Sequence, residues 1–254
     1  SPGGISVNSE TYNGTSFTEG NNLGAPADYA ASAGTQTAGV AFGGSPPAGG
    51  ANNDTQEYNG TDWSEGNNLN TGRYAIGGSG TQTAALAAGG SPPGNTGSNL
   101  SEEYNGTNWT EGNNLGTARY KTTQFGLQTA AVAAGGDTGP ANVNNVEHYD
   151  GTSWTAATVY PSTLTFAASA GSQTDGLVFL GDLGPGYGAT TNTYDGTSWA
   201  ASATLANAGG NTEGDGTGAL ALAASGGPSS GRTDGSEEFT GATTALNYKS
   251  LSSS

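Results

Sequence analysis

Short runs of small or apolar residues recur along this chain, each closed by glycine, asparagine or proline. Between them stands a second pattern: an aromatic, a polar turn, then another aromatic. Tyr104-Asn105-Gly106-Thr107-Asn108-Trp109 is one copy. Others stand at Tyr12–Phe17, Tyr58–Trp63, Tyr149–Trp154 and Tyr194–Trp199, and a faded one at Phe239-Thr240-Gly241. Successive starts, at residues 12, 58, 104, 149, 194 and 239, are 46, 46, 45, 45 and 45 residues apart. So regular a spacing means one structural unit copied along the chain.

Each copy predicts its own elements. Asn-Gly and Asp-Gly tolerate positive φ and suit the primed turns of tight hairpins. Glu102-Glu103-Tyr104 and Trp109-Thr110-Glu111 therefore read as two antiparallel strands. Upstream, Ala27–Gly34 reads as a strand of small residues, Thr35-Gln36-Thr37 as a corner, and Ala38–Phe42 as a second strand closed by Gly43-Gly44. The same order returns at Arg73–Gly80 with Ala84–Ala88 and at Arg119–Gly126 with Ala130–Ala134. It returns again near Leu164, where Ser172-Gln173-Thr174 makes the corner, and in degenerate form over Leu205–Gly216 and Ala219–Ala224. Ala245–Leu251 is a last strand candidate. Four short strands in roughly 45 residues is the period of a propeller blade. No stretch sustains a 3.6-residue period with helix caps, so helix is expected to be nearly absent.

A strand ending in Gly-Gly, followed by Tyr and then Trp, resembles the Kelch repeat. Gly43-Gly44/Tyr58/Trp63, Gly89-Gly90/Tyr104/Trp109 and Gly135-Gly136/Tyr149/Trp154 carry the resemblance over nearly the whole chain, with a shorter Tyr-to-Trp gap than most Kelch repeats have. The fuller form, Tyr-Asn/Asp-Gly-Thr-x-Trp with Thr-Gln-Thr-Ala, is similar to Kelch-like proteins of phage and environmental sequences. The expectation is a single all-β propeller domain of four-stranded blades over residues 1–254, five blades in number, with six the alternative. Residues 1–26 would be an outer hairpin, and 27–72, 73–118, 119–163, 164–204 and 205–251 the repeats. Six outer hairpins stand against five inner strand pairs, so the N-terminal hairpin is expected to close the ring on Ala219–Ala224.

Composition narrows the partners. Lys and Arg number 5, Asp and Glu 21, and the net charge is −16. So few cations cannot form a phosphate-binding footprint, which excludes nucleic acid and an anionic membrane surface as partners. There is no Cys, so no disulfide, thiolate nucleophile or thiolate-bound metal. No apolar run approaches the ~20 residues of a membrane helix, and Ser1–Glu10 shows no signal-peptide pattern. There is no Met, so Ser1 is expected to be a processed end or the start of a fragment. Glycine, at 46 residues, would fit disorder, but evenly spaced Trp and Tyr do not.

Candidate chemistry is sparse. Asp150-Gly151-Thr152-Ser153-Trp154 and its copy at Asp195 resemble the Asp-box of sialidase propellers, but lack the residue between Asp and Gly. Asn fills the place in other copies, which favours a turn. Kelch propellers include a copper oxidase with a Tyr–Cys cofactor; without Cys, and with His148 alone, no such site is expected, and no cofactor or metal. His148 fills the slot of Glu57 and Glu103 and reads as a strand surface residue. Glu213 and Asp215 could ligate calcium but read as an acidic turn. Asn13, Asn59 and Asn105 begin sequons, as do Asn53, Asn99 and Asn108, and the first three are explained by turn chemistry.

The loops after Gly-Gly vary most between copies: Ser45–Thr55, Ser91–Ser101, Asp137–Asn145, Asp182–Asn192 and Pro228–Gly235. In an up-and-down blade they share one face with the connectors between blades, and variable loops on a rigid scaffold are where binding concentrates. Candidate binding residues on that face are Asn52, Asn53, Arg73, Asn95, Arg119, Asn142 and Tyr187. Tyr58, Trp63, Tyr104, Trp109, Tyr149, Trp154, Tyr194 and Trp199 are the expected repeat core. The function expected is a non-enzymatic, extracellular or virion-surface module that contacts other protein subunits of a capsid, tail or filament. A glycan- or receptor-binding adhesin is the first alternative, and a diverged carbohydrate-active enzyme the second.

Overall fold

A computed structural model of the protein describes residues 5–94, 96–179, 181–183, 186–205, 209–210, 213–224 and 236–240. The strand candidate Ala245–Leu251 and the loop Pro228–Gly235 lie outside the described residues. Every regular element described is a β-strand. The strands fall in two compact units, Ser1–Tyr120 and Lys121–Ser254.

The first unit opens with a two-stranded hairpin, β1 (Glu10–Tyr12) and β2 (Phe17–Glu19). A four-stranded sheet follows: β3 (Ala31–Thr35), β4 (Ala38–Phe42), β5 (Thr55–Tyr58) and β6 (Trp63–Glu65). A second is built of β7 (Gly77–Thr81), β8 (Ala84–Ala88), β9 (Ser101–Tyr104) and β10 (Trp109–Glu111). In the second unit one sheet holds β11 (Thr123–Leu127), β12 (Ala130–Ala134), β13 (Val146–Tyr149) and β14 (Trp154–Ala157). The next holds β15 (Ala168–Ser172), β16 (Asp175–Phe179), β17 (Thr191–Tyr194) and β18 (Trp199–Ala201). The last is described over three strands, β19 (Glu213–Gly216), β20 (Leu220–Ala224) and β21 (Ser236–Thr240). All neighbours run antiparallel and in chain order, as short connections favour.

The second strand of each sheet explains the alanine. In β8, Ala85, Leu86, Ala87 and Ala88 are all fully buried, as are Ala131–Ala134 in β12. A strand covered on both faces reads as a continuous apolar run rather than an alternating one. In the first unit Ala31, Val40 and Phe42 of one sheet form a single cluster with Ala85, Ala87, Tyr104 and Trp109 of the next. In the second unit Ala168, Ala170, Leu177 and Phe179 do the same with Ala221, Ala223 and Phe239.

The aromatic hairpins are in the expected register, with Tyr104 opposite Trp109 and their rings 4.9 Å apart. Their turn differs from the primed two-residue form. Four residues connect the strands, and Asn105 Oδ1 accepts from the backbone N–H groups of Thr107 (3.0 Å) and Asn108 (2.8 Å). Gly106 alone takes positive φ, +84°. The side-chain oxygen therefore organises the turn, and Asp serves as well as Asn: Asp150 and Asp195 accept the same two bonds in their repeats.

The corner glutamines link one repeat to the one before. Gln82 Nε2 donates to the carbonyls of Gly39 (3.1 Å) and Tyr58 (2.7 Å), and Gln173 Nε2 to those of Ala131 (3.0 Å) and Tyr149 (3.1 Å). Gln36 reaches the Tyr12 carbonyl in the same way. Asn21 donates to Asp62 at 2.7 Å as Asn67 does to Asn108 at 2.9 Å. The β1–β2 hairpin is thus held to the first sheet by the contacts that hold that sheet's outer strands to the second.

Ring closure by that hairpin on Ala219–Ala224 is not what the structure has. Strand β20 pairs with β21, Ala221 opposite Phe239, so the segment after Gly227 supplies the third strand itself. A nearby strand closes a much smaller loop than one some 200 residues away, at a lower entropic cost.

The tryptophans are not equally buried. Trp109 is 5% exposed, its ring 4.8 Å from Phe42 and its Nε1 donating to Thr55 Oγ1 at 3.0 Å. Trp63, Trp154 and Trp199 are half-buried. Trp109→Ala should therefore cost ~3–5 kcal/mol in denaturant unfolding, as for other buried large aromatics. Trp154→Ala should cost clearly less; equal losses would contradict this difference in packing.

Candidate binding face

The sequence makes Arg73, which opens a repeat, a binding candidate. The structure corrects this: it is 0% exposed. Its Nη2 pairs with Glu102 Oε1 at 2.9 Å, and its Nη1 donates to the carbonyls of Gly89 and Leu100. Glu102 also accepts from the backbone N–H of Asn70 (2.7 Å). Burial drives the Arg73 pKa down from its ordinary value, and the adjacent carboxylate opposes that shift. Arg119, in the matching slot, is fully buried too. Neither arginine can meet a ligand. In the first repeat neutral residues fill these slots: Ala27 stands in place of Arg73, and Gln56 in place of Glu102. Gln56 takes the Gly24 N–H (2.6 Å) and donates to the Ala25 carbonyl (3.1 Å).

The other candidates divide. Asn52 and Asn53 are half-buried staples of their loop: Asn52 donates to Asp54 at 2.9 Å, and Asn53 to the Leu69 carbonyl at 3.2 Å. Asn142 is half-buried and bridged to Asp137, which opens its loop. Tyr187 is half-buried and bridged to Asp182, and a Cβ on Gly210 would come within 2.3 Å of its ring. Asn95 lies outside the described residues.

The loops after Gly-Gly do share a face with the connectors. Backbone bridges join Asp28 to Ser45 and Tyr74 to Ser91 in the first unit, and Thr165 to Asp182 in the second. Next to these bridges lies a feature the sequence did not reveal. Tyr29, Ala75, Lys121 and Phe166 have φ of +54°, +50°, +58° and +51°, and they are the only non-glycine residues with positive φ among those described. They are 46, 46 and 45 residues apart and so occupy one slot of the repeat. Ala75 N donates to Tyr29 O (2.9 Å) and Phe166 N to Lys121 O (3.3 Å), so the slot links successive repeats within each unit. A left-handed L-residue costs about 1–2 kcal/mol relative to the right-handed region. No residue type is shared among the four, and only their spacing could have pointed to them.

The slot presents different chemistry in different repeats. Tyr29 is 43% exposed, while Ala75 is buried. In the second unit Lys121 Nζ lies 3.1 Å from Asp137 Oδ2 and 5.4 Å from the centre of the Phe166 ring. That ion pair is partly open to solvent, with side-chain exposures of 27% and 12%. Asp137 Oδ1 accepts from Gly139 N at 2.7 Å, which ties the pair to the start of a variable loop.

Comparison with known proteins adds the fold. No family model and no curated protein matches the sequence. A solved structure titled "Structure of YjhT" aligns over 98% of this chain and 98% of its own, with a TM-score of 0.77 and 12% identity. The fold is a five-bladed β-propeller. Its blades are the four four-stranded sheets and the sheet described over three strands. At 12% identity the likeness carries the fold and no side-chain role.

The remaining ionisable candidates are engaged in blade structure. Asp150 and Asp195 are held below the ordinary carboxylate value by backbone N–H groups, first those of Ser153 and Ser198. Glu213 and Asp215 stand in strand β19 rather than in a turn. His148, expected at the strand surface, is half-buried, and its Nε2 lies 2.9 Å from the Tyr194 hydroxyl of the next blade. Glu57 meets the Tyr104 hydroxyl from the same slot. Among the described residues no three of His, Asp and Glu stand where they could hold a metal.

Burial lowers the His148 pKa from its ordinary 6.5, so the folded chain favours the neutral ring. The stability this contributes is complete above pH 6.5 and is lost as pH falls from there toward the lowered folded value. His148→Gln should flatten the stability curve over that window in denaturant melts run at several pH values. An unchanged acid-side slope would show that other groups control it.

Proposed function

We propose that this protein is a non-enzymatic surface module of Kelch-like type, a component of a phage-type particle or appendage that holds contacts to neighbouring subunits. The observation that carries this reading is where its ionisable side chains are engaged. Glu102 is matched to Arg73, Glu57 to the Tyr104 hydroxyl, His148 to the Tyr194 hydroxyl, and Asp150 and Asp195 to their own turns. These acid and base groups thus serve the blades' own turns and slots and, for Glu57 and His148, the joints between blades. What varies between repeats is the loop face, where a rigid scaffold presents its contacts.

A second reading, an adhesin that binds a glycan through that face, is favoured by the strained slot. Glycine would occupy it without cost, and elsewhere among the described residues positive φ belongs to glycine. Retaining Tyr29, Lys121 and Phe166 there keeps side chains on the loop face at the expense of backbone energy.

The module reading makes a location testable. Gold-labelled antibody against the chain should decorate the outside of intact particles or appendages from its source. Label found only in the soluble fraction would overturn it.

A further inference from the structure

Lys121, Asp137 and Phe166 form a group in the second unit where the left-handed slot meets a variable loop. The slot needs a left-handed residue, and glycine is the residue that satisfies it most cheaply. Lys121 and Phe166 stand there instead, in successive blades, with Phe166 N bonded to Lys121 O at 3.3 Å. Of the cations among the described residues, Lys121 is the one whose side chain is partly open to solvent, since Arg73 and Arg119 are buried.

The chemistry of the group selects its ligand. The Lys121 ammonium and the Asp137 carboxylate are 3.1 Å apart and neutralise each other, so the pair has little preference for a charged ligand. It sets a hydrogen-bond donor directly beside an acceptor, the donor more open to solvent (27% of its side chain) than the acceptor (12%). Two adjacent hydroxyls on a sugar ring match that arrangement, one accepting from Lys121 Nζ and the other donating to Asp137. Phe166 offers apolar surface alongside, with the Lys121 ammonium 5.4 Å from its centre. A net charge of −16 disfavours polyanionic chains. We propose that Lys121, Asp137 and Phe166 form a binding site for a neutral saccharide with adjacent free hydroxyls. This rests on the adhesin reading and gives it a site and a ligand class.

The test uses the full chain and an immobilised panel of neutral hexose and N-acetylhexosamine oligosaccharides, with carboxylated and sulfated chains in parallel. The wild-type chain should bind neutral members and leave them unaltered. Lys121→Gly and Phe166→Gly should each weaken binding by about tenfold or more, as for loss of a charged hydrogen bond or a ring contact. Their thermal midpoints should stay level or rise, because glycine relieves the left-handed strain. Asp137→Asn, which keeps the oxygen that meets Gly139, should weaken binding without unfolding the loop. Binding of anionic chains alone, binding unaffected by all three variants, or glycine variants that melt well below the wild type would each overturn the site. If no glycan binds while antibody still decorates intact particles, the saccharide site fails and the surface-module reading survives. If a bound glycan is cleaved or oxidised, the non-enzymatic reading fails.

Discussion

The bond on which the rest of the structure depends is the one that the corner glutamines Gln82 and Gln173 make to the repeat before each. A blade of this chain is too thin to bury its own faces, since strands such as Ala84–Ala88 are covered on both sides. Alanine and glycine surfaces are also nearly featureless, and one could slide on another with little loss. Gln82 and Gln173 remove that freedom, because each donates to two carbonyls on two different strands of the preceding blade. Once that register is set, Phe42 meets the Trp109 ring, and the Tyr104 and Tyr194 hydroxyls meet the blade behind each. Apolar burial supplies the drive, and the polar latch supplies the geometry.

The same constraint explains how a chain with so few cations uses them. Arg73 could have countered surface repulsion in a chain of net charge −16, yet it is wholly buried against Glu102. A buried ion pair adds little net stability compared with a well-packed apolar one, but a mismatched slot would be heavily penalised. The slots change together in the sequence: Arg73 with Glu102, Ala27 with Gln56. Both members of each pair belong to one repeat, so the matching keeps each repeat's own buried slot satisfied. His148 in place of Glu57 alters another joint while keeping its bond to a Tyr hydroxyl.

Periodicity made most of the fold legible. Tyr, Asn-Gly and Trp at fixed spacing located the hairpins because their roles are local: a turn side chain, a positive φ, a ring pair within one sheet. The misjudged residues are those whose role is set by a distant partner. Arg73 looked like a loop residue because a sequence does not show that Glu102 lies under it. Trp63 and Trp109 look alike in the chain and differ because Phe42 and Thr55 back only the second. Six outer hairpins against five inner pairs point to ring closure by the N-terminal hairpin. Counting could not show that β20 takes its third strand from the residues just after it.

The candidate site was the least legible part, for a physical reason. The Asn-rich loops and the repeat-opening arginines carry mostly internal staples. The strained slot carries Tyr, Ala, Lys and Phe, which share no composition signal, and its defining property is a backbone angle. In a chain that spends glycine so freely, the informative position is the left-handed one where glycine is absent. Ala75 shows that the slot can be filled for packing alone, because its Cβ is buried. Tyr29, Lys121 and Phe166 have larger side chains on the same backbone conformation, and Lys121 stands beside an acidic loop anchor. A packing role would be met by one residue type repeated, as the corner glutamines are. Four different side chains on one conserved angle fit a scaffold that fixes direction and leaves chemistry free to vary.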